Sequence, residues 1–122
     1  MDERLNKIQQ IISELNGISI ETSFSSDSDS TIVGKIKVSI VDSDETLIFD
    51  VKIFPEYPLK KFDTESITFF NTDFLEYGHV MGNGSICIHT SHNIDLRKKI
   101  EIDINSLKRW IVKYYLNKEN DS

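Results

Sequence analysis

Apolar residues recur at Leu5, Ile8, Ile11, Ile12 and Leu15, the spacing of one helical face, and predict a helix over residues 3–16. Asp2 or Glu3 suits its positive end, and Asn16-Gly17 supplies residues that tolerate the left-handed conformation at its stop. The period then changes. Ile18, Ile20, Thr22 and Phe24 alternate with Ser19, Glu21 and Ser23, the signature of a strand with one buried face. Residues 25–30 hold two Asp and four Ser with no apolar side chain, and read as a mobile hairpin loop. A second strand over 32–41 turns Ile32, Gly34, Ile36, Val38 and Ile40 one way. After Asp42-Ser43-Asp44-Glu45, a third strand spans 46–54. Its inward set is ambiguous, because Leu47 to Phe49 is an unbroken apolar run.

Pro55 and Pro58 end regular structure. Residues 66–70 (Ser-Ile-Thr-Phe-Phe) predict a fourth strand. The fold class expected is α+β, a helix followed by a four-stranded antiparallel meander and a final helix, in one domain over residues 1–122. Periodicity is weak from 71 to 93, where Gly78, Gly82 and Gly84 crowd together, so the chain is expected to turn tightly there. Residues 94–102 alternate charge with Ile and are read as extended or as a loose surface segment. The last helix is placed over about residues 104–117, with Leu107, Trp110, Ile111 and Tyr114 buried, Tyr115 widening the stripe, and Asp103 or Asn105 as N-cap.

Composition changes this picture little. A net charge of −6 opposes direct nucleic-acid binding, which draws most of its affinity from neutralising phosphates. The cations form short patches (Lys60-Lys61, Arg97-Lys98-Lys99, Lys108-Arg109), better suited to a protein partner. No signal-peptide or membrane-spanning pattern is read, and one cysteine in such a chain fits a reducing cytoplasm.

The candidate chemistry centres on that cysteine, Cys87, in Gly84-Ser85-Ile86-Cys87-Ile88, eight residues after His79. A thiolate is a strong nucleophile near neutral pH. Three alternatives stand beside a nucleophile. A free Cys is often an inert core residue. Cys87, His89 and His92, with His79 as a fourth, have a composition that zinc accepts. A papain-like hydrolase would take its base from His79, His89 or His92, with Asn83 or Asp95 behind it. The Phe54-Pro55-Glu56-Tyr57-Pro58 segment reads as a structural crossover or as a surface for docking a partner.

In this order, the helix, the meander, Phe54-Pro55-x-Tyr57-Pro58, a His79-led turn, Gly84-x-Ile86-Cys87 and a helix resemble the E2 ubiquitin-conjugating (UBC-like) fold over about residues 3–117. The turn reads His79-Val80-Met81 where eukaryotic E2s carry His-Pro-Asn, the step to the cysteine is shorter, and one helix follows it. These features are similar to compact bacterial E2-like proteins, and in particular to the stand-alone E2 of short type II anti-phage cyclic-oligonucleotide signalling (CBASS) operons. The resemblance implies that Cys87 holds the C-terminus of a partner protein, a cGAS-like nucleotidyltransferase, as a thioester. With the family's Asn absent, the oxyanion donor is expected to be Asn83, four residues before Cys87, or else a backbone N–H near Gly84 or a histidine. His79 is expected to fix the turn, and His89, two residues on at strand parity, to assist proton movement. Phe54, Glu56, Tyr57, Lys60 and Lys61 would face partners. The resemblance also implies a separate E1-like activating enzyme and no cofactor. A binding-only UBC-like adaptor and a Cys/His zinc domain remain the alternatives.

Overall fold

The first helix, α1, spans Glu3–Ser13 and buries Ile8, Ile11 and Ile12, three positions of the predicted stripe. It ends before residue 16 in turns that close at Gly17, whose φ of +75° is a left-handed conformation that only glycine adopts cheaply. In the computed structural model the described residues are 3–40, 44–59, 65–75, 77, 80–82, 84–86, 88, 90 and 93–117.

Four strands follow: β1 (Ile18–Ser26), β2 (Ile32–Ser39), β3 (Thr46–Ile53) and β4 (Ile67–Phe70). They pair antiparallel in chain order, β1-β2-β3-β4. The ambiguity in β3 is resolved by register. Leu47, Phe49, Val51 and Ile53 face Val38, Ile36, Gly34 and Ile32 across the ladder, and this set is buried apart from the half-buried glycine. Ile48 is turned out with Lys37. β4 adds Ile67 and Phe69 to the same inner face.

β1 departs from strict alternation. Its register slips after Ile20 and again after Thr22, so Thr22 pairs with exposed Lys35 while Phe24 returns to the core. Gly34 makes this possible, since a Cβ there would collide with the Phe24 ring. The β1–β2 loop is organised by Asp27, whose Oδ1 accepts the N–H groups of Asp29 (2.8 Å) and Thr31 (3.1 Å). Gln9 of α1 accepts the Phe24 N–H at 2.6 Å, which covers one donor of the edge strand.

The second helix, α2, spans Leu96–Trp110 and continues as a π-helical turn, Ile111–Leu116. This corrects the expectation for residues 94–102, most of which are helical. It also corrects the cap, because Asp95 is the N-cap and its Oδ1 accepts from Arg97 N (3.0 Å) and Lys98 N (3.4 Å). The physical reason lies in the buried face. Ile100, Ile104, Leu107, Trp110 and Ile111 recur at helical spacing, but Lys99, Asp103 and Ser106 are buried among them and break the apolar pattern. Asp103 is inside the helix, not at its start.

α1 packs on β1 and on α2, and Trp110 meets Phe49 of β3 edge-on at 6.3 Å. The core therefore fills one face of the sheet. The other face carries Lys35, Asp50, Lys37 and Glu21 in exposed pairs. Among the described residues no helix is long and apolar enough to cross a membrane.

Candidate functional site

The segment between β3 and β4 leaves the sheet at Phe54 and returns at Ser66, where Phe54 N–H donates to the Ser66 carbonyl at 2.8 Å. Two turns follow each other here, Tyr57 N–H to Phe54 O (3.1 Å) and Leu59 N–H to Glu56 O (2.8 Å). The Tyr57–Pro58 peptide is cis. Arg4 of α1 donates from Nη2 to the Phe54 carbonyl at 2.8 Å, so the first helix holds this loop directly. Phe54 and Glu56 are half-buried. Tyr57 is only 3% exposed, so it anchors the segment from the inside and offers little of itself to a partner. Lys60 and Lys61 lie outside the described residues.

Beyond β4, a 3-10 turn at Thr72–Phe74 is capped by Asn71, whose Oδ1 accepts the Asp73 N–H at 2.8 Å. Phe74 enters an aromatic cluster with Phe49 (5.4 Å), Trp110 (5.9 Å), Tyr77 (5.9 Å) and Tyr115 (5.7 Å). Tyr115 also donates to Glu45, and chiefly that hydrogen bond, with some desolvation and the carboxylate charge, pushes its hydroxyl up to about 12. The cluster clamps the chain after β4 to the end of α2.

The chain then doubles back. Val80 bridges Ile86, Met81 N–H donates to Ser85 O (2.8 Å), and Gly84 N–H donates to Met81 O (2.8 Å). The returning stretch runs beside β4: Ser85 bridges Phe70, Ile86 N–H donates to Phe69 O (2.8 Å), and Asn71 N–H donates to Gly84 O (3.0 Å). Gly84 is required for this approach. Its φ is +89°, and a Cβ would sit 3.0 Å from the Asn71 carbonyl carbon and the Thr72 nitrogen. Ile86 is buried and Ile88 packs against the core, so the residues on either side of Cys87 are fixed in the fold. Cys87 itself, Asn83, His79, His89 and His92 lie outside the described residues. Among the described residues no group of three His, Cys, Asp or Glu side chains could hold a metal, and all four ligands of the zinc alternative fall outside them.

The feature that sequence reasoning missed is a buried polar chain behind this segment. Lys99 and Asp103, one helical turn apart on α2, are 1% and 0% exposed and meet at 2.7 Å. Tyr57 donates to Asp103 Oδ2 at 2.6 Å. Lys99 Nζ also donates to Thr90 Oγ1 at 2.7 Å, and that hydroxyl donates to Glu65 Oε1 at 2.9 Å. Burial, reinforced by Asp103 and more distantly by Glu65, holds the Tyr57 hydroxyl far above its ordinary range, so it remains a donor. The chain of bonds joins the loop at Tyr57, the helix α2 and the segment after Cys87 through Thr90. The sequence placed Lys99 in a surface basic patch and Asp103 at a helix start, so their pairing inside one buried helix face was not anticipated.

Comparisons with protein-family models, with curated proteins and with solved structures each return no match.

Proposed function

We propose that this chain is an E2-like conjugating protein of UBC-like fold, in which Cys87 carries the C-terminal carboxyl group of a partner protein as a thioester. One observation carries the reading. The α+β order is followed by the stretch Gly84-Ser85-Ile86, bonded along β4, which leads straight into the single cysteine, while the Phe54-Pro55-Glu56-Tyr57-Pro58 loop is pinned to both helices. That is the element order in which E2 proteins present their thiol.

In this mechanism the Cys87 thiolate attacks the carbonyl of a carboxyl group activated by a separate adenylating enzyme. The C–S bond forms as the activating group leaves. An acceptor amine then attacks the thioester carbonyl, the C–S bond breaks, and the amine's proton passes to a base or to solvent as the thiol is regenerated. Asn83, four residues before Cys87, is assigned to the oxyanion, a donor typically worth about 2.7–4 kcal/mol in such steps. His89 is assigned to the proton and His79 to holding the turn. The partner assigned is a cGAS-like nucleotidyltransferase of a CBASS operon, docked over Phe54, Glu56, Lys60 and Lys61, with Tyr57 supporting them from within.

The test is intact mass under non-reducing conditions after incubation with that nucleotidyltransferase, an E1-like enzyme and ATP. A covalent adduct released by thiol or hydroxylamine, and lost in Cys87→Ala, is expected. A partner retained equally by Cys87→Ala with no covalent mass would make the chain an adaptor. About one zinc per chain, lost on substituting His89 and His92, would replace both readings with a metal site.

A further inference from the structure

A groove of about 240 Å³ lies between the Asn16-Gly17 turn, the end of β2 and the C-terminal helix. Its apolar lining comes from Val38, Ile40, Ile111, Val112 and Leu116. Ile40 and Ile111 are buried, but Val112 and Leu116 stand 52% and 43% exposed. A larger, more open hollow of about 640 Å³ adjoins it, sharing Lys108 and Val112 and adding Arg109 and Lys113. No carboxylate lines either hollow among the described residues.

The three cations there have no acidic partner among the described residues. Lys108 Nζ donates to the Asn16 carbonyl at 2.8 Å, Arg109 Nη2 to Ser106 Oγ at 3.0 Å, and Lys113 lies over the Tyr114 ring at 5.2 Å. Elsewhere Lys35, Lys37 and Arg97 each meet a carboxylate, while Lys52 and Lys98 have no ion pair among the described residues. In a chain of net charge −6, three cations without a carboxylate partner among the described residues therefore lie beside an exposed apolar groove. Basic residues at a helix C-terminus offset its dipole, which accounts for their sign but not for the groove beside them. The groove is built where the helix widens into the π-helical turn, a distortion frequent at functional sites.

We propose that this face docks an acidic segment of a partner protein, which inserts aliphatic side chains into the groove and sets Asp or Glu against Lys108, Arg109 and Lys113. Charge argues against a symmetric second copy, since two copies meeting through this face would bring like charges together. The proposal uses no part of the Cys87 segment and stands whether or not the thioester forms.

Selection of random peptides displayed on phage, with the full chain as bait, tests it. Peptides pairing Leu, Ile, Val or Phe with Asp or Glu should be enriched. A synthetic copy of the winner should bind at least tenfold more weakly to Arg109→Glu/Lys113→Glu and to Val112→Asp, and more weakly as salt rises. Should Val112→Asp fail to fold by circular dichroism, the charge-reversed pair, whose side chains are exposed, carries the test. An empty selection, peptides without acidic residues, or equal binding to the variants would overturn the proposal. So would a dimer in sedimentation that the charge-reversed pair dissolves, or binding of the chain to phosphatidylglycerol vesicles that the same pair abolishes.

Discussion

Replacing Lys99 by Met should destabilise the protein out of proportion to an ordinary lysine, and the double variant with Asp103→Asn should restore most of the loss. The ammonium and carboxylate meet at 2.7 Å with almost no exposure. At an effective dielectric of about 20 their attraction is roughly 6 kcal/mol, while removing each ion from water costs several kcal/mol. The two effects nearly cancel in the intact pair. Lys99→Met removes the attraction and leaves the desolvated carboxylate with only the Tyr57 hydroxyl, a change expected to cost about 3–5 kcal/mol. Asp103→Asn keeps an acceptor for Tyr57 but leaves the ammonium with the neutral Thr90 hydroxyl, at a similar cost. With both charges gone, neither penalty remains, and the double variant should cost less than either single one. Total stability of a domain this size is about 5–15 kcal/mol, so each single change should be plain in urea titration, and should lower Tm by roughly 12–20 °C at about 4 °C per kcal/mol. Lys35→Met is the control. Its pair with Asp50 is longer, at 3.7 Å, and half-exposed, and should be worth under about 1 kcal/mol. Single-variant losses as small as the control, or a double variant losing the sum of the two, would refute the burial argument.

Two further outcomes follow from the site. The Tyr57 hydroxyl is held above its unfolded value of 10.0, so its contribution to stability is complete below pH 10 and falls as pH rises above it, where only the unfolded chain ionises. Chemical denaturation between pH 9 and 11.5 should therefore show a steeper alkaline loss in wild type than in Tyr57→Phe; equal slopes would contradict the assignment. Gly84→Ala forces a side chain into left-handed backbone and against the Asn71–Thr72 peptide at 3.0 Å, and should cost about 1–3 kcal/mol in urea titration. A neutral result would mean that the stretch before Cys87 does not sit against the end of β4.

The α+β architecture was legible because it rests on local period. The stripe of α1, the inward set of β2 and the turn at Gly17 each follow from spacing and from one residue's conformational preference, and all three stand in the fold. The start of α2 was not legible, because Asp95 and Asp103 are equally good caps by type, and three polar residues share the helix's buried face. The turn-back near Gly84 was expected from crowded glycines, but its partner, the end of β4, is a long-range contact that no local pattern encodes. The sequence also singled out Cys87 as the one thiol and the Phe54-Pro55-Glu56-Tyr57-Pro58 loop as a special segment. Tertiary packing alone decided that Tyr57 turns inward, that Lys99 and Asp103 are taken out of water, and that Thr90 completes the chain between them and Glu65. The reason is physical. Period reports which face of an element is apolar, whereas a buried charge is tolerable only when distant elements bring its partners to it.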